Sequence, residues 1–149
     1  FVYLKIPIKD DETVPIQNEF DKVLSFFNRV EEKHGKIYVH CTAGASRAAA
    51  MVVAYLVADR KISLNDAYAY VQSRRPIVMI NVGFLFQLAL LELKQERGCS
   101  VLYHKDWRFY EFNMIKADID PKADWREPKG TFSTTLHLYR KREDEEEDY

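Results

Sequence analysis

The chain has 149 residues, 47% of them hydrophobic, and a formal net charge of −1. That length and apolar content suit one globular domain with extensions, and no apolar stretch is long and charge-free enough to span a bilayer. Charge is unevenly spread: residues 142–149 carry −5, leaving +4 on a mildly basic body that suits phosphorylated ligands but is too weakly basic for nucleic acid.

Residues 2–8 alternate as a strand does and run into an acidic turn, Asp10-Asp11-Glu12. Residues 17–33 read as an amphipathic helix, with Phe20, Val23, Leu24, Phe27 and Val30 on one face and Gly35 as its stop. Residues 36–39 form a short buried strand. After Arg47 comes a helix that is apolar all round, as expected of an element in the middle of a domain. Ser63-Leu64-Asn65-Asp66 resembles a capping box and opens a helix to about Arg74, which Arg75-Pro76 breaks. A further helix spans about 82–97, with Phe84, Leu85, Leu88 and Leu91 facing inward and Gly98 as its end.

Beyond Cys99 the pattern changes. Tyr103, Trp107, Phe109, Tyr110, Phe112 and Trp125 make an aromatic-rich stretch broken by Asp120-Pro121 and Glu127-Pro128, and residues 131–139 alternate as a strand. Such a stretch is either a sleeve around the domain or a surface for a protein partner. The acidic end reads as a solvated tail. Two cysteines, Cys41 and Cys99, make no disulfide framework and fit a reducing, intracellular compartment, whether cytoplasmic, nuclear or organellar. His34, His104 and His137 show no metal-ligand spacing, and no cofactor is implied.

The most informative residues are His40-Cys41-Thr42-Ala43-Gly44-Ala45-Ser46-Arg47, placed between the 36–39 strand and the apolar helix. A cysteine leaving a strand, a glycine in a short loop and an arginine opening a helix make an anion trap. Loop N–H groups and the helix dipole supply positive potential, and a guanidinium can grip two phosphate oxygens at once. Cys41 sits where such a potential turns a thiol into a thiolate. The bland alternative is an inert, buried cysteine, the commoner fate of a lone cytosolic thiol.

With this motif the chain resembles the cysteine-dependent protein tyrosine phosphatases, in particular their dual-specificity branch, over roughly its first hundred residues. The resemblance implies an α/β, phosphotyrosine-phosphatase-like fold. It would have a partial central sheet flanked by helices over residues 1–98, and an irregular C-terminal extension over 99–149. It also implies hydrolysis of phosphotyrosine, phosphoserine and phosphothreonine in a phosphoprotein substrate. Cys41 would be the nucleophile, Arg47 the phosphate clamp and Asp10 the general acid, with Asp11 as its rival. Thr42, Ala43, Gly44, Ala45, Ser46 and Arg47 would bind phosphate, and His40 and Asn81 would support the loop. His40 is expected either to orient the loop by hydrogen bonds or to be a satisfied core histidine. Arg75-Pro76 followed by Asn81-Val82-Gly83-Phe84-x-x-Gln87-Leu88 is similar to the helix entry that braces the phosphate loop in this branch, with Gln87 carried over only as a structural residue.

Two departures from the family pattern stand out. Family domains carry several dozen residues before the position of Val2, so the sheet is expected to be completed by another segment, by residues 131–139 or by a partner. Ala48 stands where the family usually has a serine or threonine that helps the cysteine leave the phosphoenzyme. These departures motivate a competing expectation: a catalytically weak or inactive phosphatase-like scaffold subunit of a larger assembly.

Overall fold

Helix α2 (Arg47–Ala58) has almost no polar residue after its first position, and so it can be stable only where every face is covered. The computed structural model, which describes residues 1–95 and Ser100, puts it there. Three other helices, α1 (Phe20–Glu32), α3 (Leu64–Arg74) and α4 (Val82–Lys94), all pack against α2. Val53, Ala54, Leu56 and Val57 lose nearly all contact with water. Each fully buried Val or Leu contributes about 1.5–3 kcal/mol relative to exposure.

Helix α1 lays Phe20, Val23 and Phe27 on this core, as its spacing predicts, and the Phe27 ring meets Tyr55 at a centroid distance of 5.1 Å. The helix is preceded by a short 3₁₀ helix, Ile16–Glu19, so helical structure begins one residue ahead of the expected start. Its end also differs in detail. His34, not Gly35, takes the left-handed conformation (φ 54°), and the Gly35 N–H closes onto the Val30 carbonyl at 2.9 Å. Gly35 is there for space: a Cβ would lie 2.8 Å from Val30 Cγ1.

The start of α3 is satisfied group by group. Ser63 Oγ accepts the Asp66 N–H at 3.0 Å, as the capping sequence predicts. Glu92, buried on α4, accepts the Leu64 N–H at 2.9 Å, and Ser100 Oγ accepts the Asn65 N–H at 2.9 Å. The second carboxylate oxygen of Glu92 accepts the Ser100 N–H at 2.9 Å. Burial pushes the Glu92 carboxyl above the usual carboxylate range, and these N–H donors only partly offset it.

Among the described residues there is no strand, which departs from the expected partial sheet. The side-chain alternation of residues 2–8 is nevertheless realised: Leu4, Ile6 and Ile8 pack on the core, while Val2, Tyr3, Lys5 and Pro7 are exposed. The 36–39 run, expected to be a buried strand, is mostly exposed: Lys36, Ile37 and Tyr38 face solvent and Val39 packs on the core. No ladder joins either run to another described segment, and the facing of their side chains follows the core. Residues 131–139, the other candidate strand, lie outside the described residues, as do Cys99 and the rest of the aromatic-rich stretch. No helix among the described residues is long and apolar enough to cross a membrane.

Candidate active site

The loop between the second extended run and α2 carries Cys41 to Arg47, and its shape is imposed from outside. Gly44 adopts φ +69°, the left-handed region that favours glycine, and a Cβ there would lie 2.8 Å from Arg75 Nη2. The connection between α3 and α4 then grips three successive residues. Arg75 Nε donates to the Gly44 carbonyl at 3.1 Å, the Met79 N–H to the Ala45 carbonyl at 2.8 Å, and the Asn81 N–H to Ser46 Oγ at 3.0 Å. Ser46 is buried, whereas Thr42 and Ala43 are exposed on the rim of the loop.

With its carbonyls engaged outward, the loop turns N–H groups on the cysteine. The Gly44 N–H donates to Cys41 Sγ at 3.2 Å. Burial pushes the Cys41 thiol up. The N–H groups of Ala48, Gly44 and Ala43, together with the Arg47 charge, outweigh it and hold the thiol below its ordinary value. Arg47 opens α2 at the positive end of the helix dipole. One guanidinium nitrogen, Nη1, reaches the Ile8 carbonyl at 3.4 Å, while Nε is buried with no hydrogen-bond partner among the described residues. A buried, unsatisfied donor of a cation is costly and marks a place where an anion's oxygen would be stabilised.

The two candidate acids separate clearly. Asp10 Oδ1 accepts from Asn81 Nδ2 at 2.8 Å, which brings Asp10 beside the helix that braces the phosphate loop. Asp11 is engaged locally: its Oδ1 accepts from Thr13 Oγ1 at 2.5 Å and from the Thr13 N–H at 2.8 Å. Those bonds hold its carboxyl below the usual carboxylate range, a poor setting for an acid that must give up a proton near neutrality. Asn81 also caps α4, its Oδ1 accepting the Phe84 N–H at 2.9 Å.

His40 occupies neither expected place. It is exposed, its ring stacked on Tyr38 at 5.3 Å, and no hydrogen bond joins its side chain to the loop among the described residues. Met79 was not assigned to the loop from the sequence, and Gln87 was carried over only as a structural residue. Arg75 was placed, with Pro76, ahead of the helix entry that braces the loop, without a role for its side chain. The signal that it bonds Gly44, 31 positions away, is not local.

Comparison with known proteins agrees with this geometry. The family model described as dual specificity phosphatase, catalytic domain, matches residues 1–94. The chain belongs to the dual specificity phosphatase family. It is 43% identical over 88 residues to human dual specificity protein phosphatase 14, covering 59% of this chain and 44% of that protein. Among solved structures it resembles the human tyrosine phosphatase-like serine/threonine/tyrosine-interacting protein, with a TM-score of 0.63, 36% identity and 64% of each chain covered. It also resembles human DUSP28, with a TM-score of 0.59, 30% identity and coverage of 60% of this chain and 61% of that one. These neighbours place the helical part in the phosphatase-like α/β fold. The chain spans less than half the length of the first curated relatives it matches.

Proposed function

We propose that this chain is a dual-specificity protein phosphatase that hydrolyses phosphotyrosine, phosphoserine and phosphothreonine in phosphoproteins. The observation that carries the reading is the environment of Cys41: a thiol held below its ordinary value by loop N–H groups, at the head of α2, beside an Arg47 whose buried Nε has no partner among the described residues. Cys41 Sγ attacks phosphorus as the bond to the leaving side-chain oxygen breaks, and Asp10 gives that oxygen a proton. Water then attacks phosphorus, Asp10 takes its proton, and the S–P bond breaks to release phosphate and the thiolate. The N–H groups of Thr42, Ala43, Gly44, Ala45, Ser46 and Arg47 and the Arg47 fork stabilise charge on the equatorial oxygens. Asn81 supports both loop and acid. His40 supports the loop only through its place in the chain.

Ala48 makes the second step the slower one, because no hydroxyl assists departure of the thiolate. A nucleophilic thiolate requires a reducing compartment, so the enzyme is assigned to the cell interior. Residues 1–98 are assigned to the phosphatase domain and 99–149 to an extension whose aromatics supply contact surface for a protein partner. The scaffold alternative is supported by Ala48, but it gives no use to an unpartnered Arg47 Nε beside an activated thiol. Hydrolysis of 4-nitrophenyl phosphate and of phosphotyrosyl and phosphothreonyl peptides by the chain, beside Cys41→Ser, tests the reading. Turnover abolished by the substitution supports it, and absence of Cys41-dependent turnover refutes it.

A further inference from the structure

Gln87, one turn inside α4, makes no contact with the phosphate loop, yet both ends of its amide are engaged by one distant segment. Its Nε2 donates to the Val14 carbonyl at 2.8 Å, and its Oε1 accepts the Gln17 N–H at 3.0 Å. These two backbone groups flank Pro15 and Ile16, where the turn carrying Asp10 joins the 3₁₀ helix. Pro15, the residue capping that helix, has no side chain able to accept a hydrogen bond, so the orphan Gln17 donor has no local partner. Gln87 supplies the missing cap from another element.

The turn needs such a tether. Asp10, Asp11, Glu12 and Thr13 are all exposed, and only Ile16 beyond them is fully buried. Helix α4 touches the segment at three heights. Asn81 donates to Asp10, Gly83 lets the Glu12 backbone approach to where a Cβ would meet the Glu12 carbonyl oxygen at 2.0 Å, and Gln87 fixes Val14 and Gln17. The loop of Cys41 is braced by a separate set: the Arg75 side chain and the N–H groups of Met79 and Asn81.

We infer that Gln87 is a positioning residue for the general acid: it holds the 10–17 segment in register so that the Asp10 carboxyl meets the leaving oxygen. The inference rests on the assignment of Asp10 as the acid of a Cys41 phosphatase. Losing the amide therefore removes help for leaving groups that need a proton and spares the nucleophile.

The experiment compares Gln87→Leu, which loses both bonds, with Gln87→Glu, which keeps an acceptor for Gln17 but loses the donor to Val14. Each is assayed on phenyl phosphate, a poor leaving group, and 4-nitrophenyl phosphate, a good one, with Asp10→Asn as the benchmark. Amide hydrogen exchange over residues 10–17 is followed in parallel. Gln87→Leu is expected to lose about tenfold more kcat/KM, which reports the first step, on phenyl phosphate than on the nitrophenyl ester, in the direction of Asp10→Asn. Gln87→Glu should fall between it and the wild type, and exchange at Gln17 should quicken while that of the 41–47 loop does not. Equal losses of kcat/KM on both esters, or unchanged exchange at Gln17, would overturn the inference. If Asp10→Asn shows no such leaving-group dependence, the assignment of the acid fails instead. If the wild type shows no Cys41-dependent turnover, the proposed function fails and exchange alone decides whether Gln87 holds the segment.

Discussion

Asn81 Nδ2 donates to Asp10 Oδ1 at 2.8 Å across 71 positions of sequence, while the Asn81 N–H donates to Ser46 Oγ at 3.0 Å. One residue therefore ties the proposed acid to the phosphate loop, and it also caps α4. Asn81→Asp keeps a good cap but sets two carboxylates face to face. It should melt near the wild type and lose about 10²-fold in kcat/KM on phenyl phosphate. Asn81→Ala loses cap and link together and should also cost about 1 kcal/mol of stability. Thermal melts beside kcat/KM measurements separate the two effects.

Loop N–H groups and the Arg47 charge hold the Cys41 thiol below its ordinary value, so at a given pH its thiolate fraction exceeds that of a free thiol. Alkylation of Cys41 by iodoacetamide, followed by peptide mass mapping against pH, should have its midpoint on the acid side of the usual thiol range. Arg47→Ala removes one of the lowering causes and should move that midpoint upward. A midpoint at the ordinary value in the unsubstituted chain would remove the claim of an activated cysteine.

Ala48 is buried directly after the arginine, and its N–H bonds the cysteine sulfur. A hydroxyl added on the same residue is placed to assist the thiolate as the S–P bond breaks. Ala48→Ser should raise kcat severalfold with the pre-steady-state burst largely unchanged, which rapid-quench kinetics measures. A steady-state rate indifferent to the substitution would show that the second step is not limiting.

Much of this site was legible because its signals are local. The turn of the loop from Cys41 to Gly44, the Ser63 cap and the Asn81 start of α4 each depend on residues within a few positions of one another, and each forms its local hydrogen bond. The expected strands show the limit. Alternation at Leu4, Ile6 and Ile8 reports which side meets the core, but not whether another segment lies alongside to pair the backbone. Gln87 was expected to be structural, but its partners were hidden for a related reason: an amide on a half-buried helix face gives no sign of the segment 70 positions away that ends on it.

Gly83 is a position where the backbone of another segment comes too close for any side chain, and Glu12 is that segment. Gly83→Ala should displace the acid turn or the start of α4, at a cost of about 1–3 kcal/mol, since a backbone carbonyl cannot rotate away as a flexible side chain would. Chemical denaturation gives the loss, and faster exchange at residues 10–14 would locate it.

Glu92 makes stability depend on pH with a definite sign. Its folded carboxyl lies above the usual carboxylate range, so the stability it contributes is complete at pH below that range. That contribution declines as pH rises from there to the raised value, where the buried carboxyl must ionise near Asp66. The melting temperature of the wild type should therefore fall over this window more than that of Glu92→Gln, whose side chain does not titrate. Parallel pH profiles for the two proteins would refute the assignment.

The outside grip of Arg75, Met79 and Asn81 on the 41–47 loop has a consequence for turnover. A cradle ordered before anything arrives pays little conformational entropy on binding, and it recognises the oxygens around phosphorus rather than the group they are attached to. On the proposed activity, free orthophosphate, the end product, would meet the same donors as the ester, so such a site would be slowed by what it makes. Its output falls as inorganic phosphate accumulates around it, and discrimination among substrates must come from surfaces beyond the cradle.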